Sequence, residues 1–131
     1  KSDLRVLNLS KTVFANTLEK LEEYGAKAIG IDVIFANQSE DAHILRQILE
    51  KYKNIVIGAK IGNQDEDSNS QVLPLPVYSG AAWGAIDVHL SKNVVNKIQP
   101  IYTLSGRTIE SMSIGLYRAS IGDNESIGRF E

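Results

Sequence analysis

From Lys11 to Tyr24, Phe14, Thr17, Leu18, Leu21 and Tyr24 fall at the i, i+3, i+4, i+7 spacing of one helix face, while Glu19, Lys20, Glu22 and Glu23 take the other. Ser10 or Thr12 can cap the first turn through a hydroxyl, and Gly25 can adopt the left-handed conformation that stops it. Ala28 to Phe35 is a short β-branched apolar run, which predicts a buried strand, central in its sheet. Ser39-Glu40-Asp41 then opens a second helical pattern to about Tyr52, striped by Ile44, Leu45, Ile48 and Leu49. Its acids suit the positive end of the helix, and Lys51 and Lys53 suit the negative end. Asn54 to Lys60 is a second short apolar run. Strand, helix and strand with short connections predict a parallel pair joined by a right-handed crossover.

Beyond Lys60 the pattern changes. Residues Gly62 to Gln71 are polar and acidic and predict a surface loop, and the two prolines of Leu73-Pro74-Leu75-Pro76 place that segment on an edge or in a polyproline-like excursion. Trp83 to Leu90 and Val95 to Thr103 alternate in part around a turn at Ser91 to Asn93, which predicts a β-hairpin constrained at Pro100. Ser105-Gly106 makes a further turn. Ile109, Met112, Ser113, Leu116, Tyr117 and Ser120 then mark a last helix ended by Gly122, with a frayed or junction tail. The fold class expected is α/β: a mixed sheet with a parallel β-α-β unit from Ala28 to Lys60, an antiparallel hairpin from Trp83 to Thr103, and helices packed on the sheet.

At 131 residues and 43% hydrophobic, residues 1–131 fit one domain with one core. Fourteen Lys and Arg against sixteen Asp and Glu leave a net charge of −2, which argues against nucleic acid as a partner. Zero cysteines exclude disulfides, thiolate zinc, iron–sulfur clusters and a cysteine nucleophile. No apolar run approaches the length of a membrane span. The opening Lys1-Ser2-Asp3, with the sole methionine at Met112, reads as a piece of a larger protein whose signal peptide or membrane spans would lie outside it.

Motifs with declared chemistry are few. Asp65-x-Asp67-x-Asn69 resembles the start of a calcium loop, but Ser70 stands where a glycine is needed and Pro76 where a bidentate Glu should be. Only His43 and His89 could serve a histidine site, no nucleophile elbow or phosphate loop is present, and Asn8, Asn37 and Asn124 head glycosylation sequons. Asp32 interrupts a run expected to be buried, so it either pairs, for example with Lys60 on the adjacent strand, or meets a ligand. Trp83 reads as core or as a stacking surface. Open α/β sheets bind ligands beyond the carboxyl ends of their strands, which here means Phe35 to Asp41 and Lys60 to Asn63 with Asp32 below. Asp32, Phe35, Asp41, Lys60 and Trp83 are therefore the candidate ligand residues. No cofactor is implied. Asp32, Asp41 and Asp87 would serve a small carboxylate- or metal-dependent enzyme if they clustered.

Phe14-Ala15, Leu18, Leu21 and the block Tyr24-Gly25-Ala26-Lys27-Ala28-Ile29-Gly30-Ile31-Asp32-Val33-Ile34-Phe35 resemble the CHASE domain of type two. Asp41 with Ile44, Leu45 and Ile48, then Asn54-Ile55-Val56-Ile57, Trp83-Gly84-Ala85-Ile86-Asp87 and Ile109 to Ile114 continue the resemblance in order, across most of Phe14 to Gly122. The chain departs from the family at Ser91-Lys92-Asn93 and Asn96-Lys97, where an Asp-Gly turn and an Arg commonly stand, and its opening strand is poorly matched by Leu4 to Leu9. The resemblance implies an extracytoplasmic input domain, periplasmic or at the cell surface. Such a domain is non-catalytic and is joined through membrane helices to an adenylate or guanylate cyclase, a histidine kinase or a Ser/Thr kinase. Its expected partner is an unknown small-molecule ligand; the alternative is a ligand-free module that acts by homodimerisation or protein interaction.

Overall fold

The computed structural model describes residues 10–62, 71–87, 89–91, 94–97 and 99–128. Helix α1 (Lys11–Glu23) starts where the sequence places it. The Ser10 hydroxyl accepts from the Val13 N–H at 3.2 Å, and Gly25 turns the chain away with φ +85°. Strand β1 (Ile29–Ile31), helix α2 (Ala42–Lys51) and strand β2 (Ile55–Ala59) form the β-α-β unit, with β1 and β2 parallel. Strand β3 (Ala82–Ala85) adds to the other side of β2, again parallel.

The strand order β1-β2-β3 corrects one expectation. The all-buried β2 is central, and β1, only three residues long, flanks it. The run from Ala28 to Phe35 therefore does not continue as strand. It breaks after Ile31, and Asp32 points to solvent instead of into the core.

The second half divides more finely than the sequence suggests. Leu75 is extended (φ −62°, ψ 152°) and donates to the Phe35 carbonyl at 2.9 Å, before Pro76–Tyr78 makes one 3-10 turn into β3. The expected hairpin is present as β4 (His89–Ser91) and β5 (Val94–Lys97), antiparallel, while Trp83 belongs to the parallel sheet. Ile101 to Thr103 lies in a second hairpin, β6 (Ile101–Leu104) with β7 (Arg107–Glu110). Its two-residue turn, Ser105-Gly106, has positive φ at both positions, the backbone that matches strand twist. Helix α3 (Met112–Ser120) starts later than its apolar spacing predicts, because the buried Ile109 belongs to β7. The tail is docked rather than frayed through Gly128: Ile127 is buried, and the Gly128 carbonyl accepts from the Trp83 N–H at 3.0 Å. The acidic loop lies outside the described residues.

Two apolar layers cover the parallel sheet. On one face Leu18 of α1 and Leu45 and Leu49 of α2 pack over Ile31, Ile55, Ile57 and Trp83. On the other, Met112, Leu116 and Ala119 of α3 lie over Val56 and Ala82. Glycines make that second face shallow. A Cβ on Gly84 would stand 2.6 Å from the Met112 Cα, so the first turn of α3 rests directly on β3.

Candidate functional site

The carboxyl end of the parallel sheet carries two recesses, one on each face. The larger follows β1. The Val33 carbonyl accepts from the Gly58 N–H at 3.2 Å, turning the chain out of the sheet. Phe35 then folds back into the core, edge-on to Phe14 at 5.2 Å and tilted on Tyr78 at 5.7 Å. Anchored by that ring, residues 33–41 wall an open recess of about 560 Å³ together with Ser10 and Lys11. The Lys11 ammonium stands 5.7 Å from the centre of the Phe35 ring.

Asp41 ties this loop to α1. Although it precedes α2, its side chain does not cap that helix. The carboxylate instead accepts from the Thr12 backbone N–H at 3.1 Å, from the Thr12 hydroxyl at 3.2 Å and from the Ser39 hydroxyl. A negative charge thus occupies the positive end of α1. The Ser39 hydrogen bond first, and the Thr12 amide second, hold the carboxyl down at about 2 against an ordinary 3.8.

The smaller recess, about 250 Å³, opens on the α3 side between Asp32, the stretch from Ala85 to Asp87, and Ser111, Met112, Ser113 and Leu116. Asp87 fixes the exit of β2, its two carboxylate oxygens accepting from the Ile61 and Gly62 N–H groups, each at 2.9 Å. Ser111 occupies the N-cap of α3, is 4% exposed, and makes no side-chain capping bond.

Phe35 and Asp41 therefore line the larger recess and Asp32 the smaller. Lys60 and Trp83 line neither. The Lys60 side chain is exposed, its backbone paired with Val72 in both directions at 2.8 Å, and Asp32 makes no ion pair with it among the described residues. Trp83 is buried in the main core. The three carboxylates do not converge as an enzyme would need: Asp87 joins Asp32, and Asp41 stands in the other recess. Among the described residues no group of three His, Asp or Glu is placed to hold a metal ion, and the Asp65 to Asn69 motif lies outside them. Nor is any described helix long and apolar enough to cross a membrane. Sequence reasoning missed Lys11 and Ser111. The serine is the N-cap residue of α3, a position hidden in the sequence because the helical spacing runs back to Ile109.

No curated protein and no solved structure matches the chain. A family model described as the CHASE2 domain matches residues 2–128. With nearly its whole length matched, the chain belongs to the CHASE2 family of extracytoplasmic, sensory, non-catalytic domains.

Proposed function

We propose that this domain is the ligand-sensing input of a membrane-anchored signalling receptor, with a cyclase or a histidine or Ser/Thr kinase as output. The observation that supports this reading is the open recess at the carboxyl end of the sheet, walled by residues 33–41 and the first residues of α1. Because Asp41 joins that loop to the α1 N-terminus, a ligand that prefers one setting of the loop also biases the position of α1. Signalling is then a population shift, limited by the ligand's differential affinity for the two settings.

A thermal-shift screen of the 131-residue chain against nucleotides, sugars, organic acids, amino acids and metal ions tests this, since a ligand selective for the folded state raises its stability. A saturable rise supports the reading when it is lost on substitution of a recess residue such as Lys11→Ala or Asp32→Asn but kept in His43→Ala. A screen without any saturable rise counts against it.

A second reading, association without a ligand, has its own observation. Val13, Leu21 and Tyr24 along α1 are 46%, 40% and 83% exposed, an apolar line open to solvent. Sedimentation decides it: a mass that rises with concentration and falls back in Leu21→Glu supports association, whereas a constant monomer mass argues against it.

A further inference from the structure

We infer that the recess walled by residues 33–41 takes a neutral polyhydroxylated molecule of the monosaccharide class, with the Tyr78 hydroxyl as the buried group that recognises it. This rests on the sensory reading and gives it a ligand class.

Tyr78 is 1% exposed, and its hydroxyl has no hydrogen-bond partner among the described residues. Its ring tilts on that of Phe35 at 5.7 Å, and Phe35 belongs to the recess wall. Asp41 belongs to the same wall. Burial first, and the Asp41 charge second, push the hydroxyl above the ordinary tyrosine range, so it stays protonated and free to donate. A buried hydroxyl left without an acceptor is costly. Asp41 has acceptor capacity to spare. One of its carboxylate oxygens takes both the Thr12 amide and the Thr12 hydroxyl, whereas the other takes only the Ser39 hydroxyl. A group serving both residues must accept from Tyr78 and donate to Asp41. A carboxylate only accepts and an ammonium only donates, but an alcohol does both.

The rest of the lining makes the same demand. Asn37 and Gln38 each offer an amide that donates and accepts, Lys11 donates and Glu40 accepts. None of these four side chains has a hydrogen bond or an ion pair with a described residue. An anion would meet Glu40 and Asp41, and a cation would meet the Lys11 ammonium, which stands 5.7 Å from the centre of the Phe35 ring. Several hydroxyls on one uncharged frame satisfy donors and acceptors together. At roughly 30 Å³ per water, 560 Å³ corresponds to about 19 waters, room for one monosaccharide with part of its water shell.

The probes are D-glucose, D-galactose, D-mannose and D-ribose. Each is titrated into the isotope-labelled 131-residue chain while backbone amides are followed by NMR, with citrate and spermidine as charged controls. At least one sugar should give saturable shifts at Lys11, Thr12 and residues 33–41, with both controls at least about tenfold weaker. Tyr78→Phe should leave the urea midpoint unchanged or higher, because it removes a hydroxyl without a partner. The same variant should weaken that sugar by about three- to tenfold, the range for one neutral hydrogen bond. Gln38→Ala, at an exposed loop position, should weaken it to a similar degree. The assignment is overturned if no sugar gives a saturable shift there, if citrate or spermidine binds as well, or if Gln38→Ala binds the sugar unchanged. It is overturned too if Tyr78→Phe binds the sugar unchanged, the result expected of a hydroxyl that serves only a resident water. Should all four sugars fail while another compound shifts residues 33–41, only the ligand class falls. Should nothing perturb either recess, the sensory reading falls with it.

Discussion

Asp41 reaches from the start of one helix to cap the start of another, and that choice gives the domain an acid-sensitive joint. Its carboxyl titrates at about 2 when folded against an ordinary 3.8, so the bound charge stabilises the fold fully above pH 3.8. That contribution is lost as pH falls through about 2. Urea midpoints measured from pH 5 to pH 2 should therefore drop steeply for the parent chain and less steeply for Asp41→Asn, which starts lower at pH 5. Parallel curves would show that the Ser39 and Thr12 contacts carry no linkage. Asn54 is a second joint. Its amide donates to the Glu22 carboxylate at 2.6 Å and to the Ala26 and Lys27 carbonyls at 3.1 and 3.2 Å, pinning the end of α1 to the start of β2. Asn54→Ala should cost about 1 to 3 kcal/mol by urea unfolding, the range for stranding partners of partly buried bonds. A change below about 0.5 kcal/mol would mean that solvent replaces the amide. At this scale the sequence was informative about residue type and poor about direction. Asp41 and Phe35 are where a site was expected, because helix starts and strand ends are marked locally. Asp32 looked buried only because the apolar run hid the point at which β1 stops.

Elements were legible where one period rules. Helix α2 and strand β2 follow their patterns nearly to the residue, because one buries an unambiguous stripe and the other is apolar throughout. Helix α1 lies where its pattern places it, but it buries Ala15 and Leu18 and leaves Thr17, Leu21 and Tyr24 of the expected stripe exposed. The boundary between β7 and α3 was not. Ile109 lies at helical spacing from Met112 and Leu116, yet it is buried as a strand residue paired with Tyr102, a contact that no local period encodes. Likewise Trp83-Gly84-Ala85 has no strong alternation, and only β2 beside it makes it a parallel strand. Its glycine sets how closely α3 docks. A Cβ on Gly84 meets backbone at Met112, whereas one on Gly30 meets the Leu116 side-chain tip at 2.9 Å, which can rotate away. Gly84→Ala should thus destabilise by about 1 to 3 kcal/mol, the range for overpacking, and Gly30→Ala by clearly less. Equal costs in chemical denaturation would mean that α3 is free to lift from β3.

Across the whole molecule, α1 and α3 lie on opposite faces of one three-stranded parallel sheet, and both start at its carboxyl end. Each helix start borders a recess: α1 with its positive end already filled by Asp41, α3 with its own end open beside Ser111. Among the described residues, the sheet's carboxyl edge brings together the loops that follow β1 and β3 and the first turns of two helices on opposite layers. The sequence could name that edge, since parallel topology implies it. It could not show that two separate recesses share it, because that depends on where each loop turns. The central claim is that ligands act at this edge. The most direct test is to take the compounds that raise the melting temperature of the 131-residue chain and map their amide shifts by NMR. Binding there should give saturable shifts confined to residues 33–41, to 111–114, or to both, with secondary shifts along α1 or α3. Saturable shifts centred on the β6–β7 hairpin or the outer face of α2, with the sheet's carboxyl end silent, would contradict it.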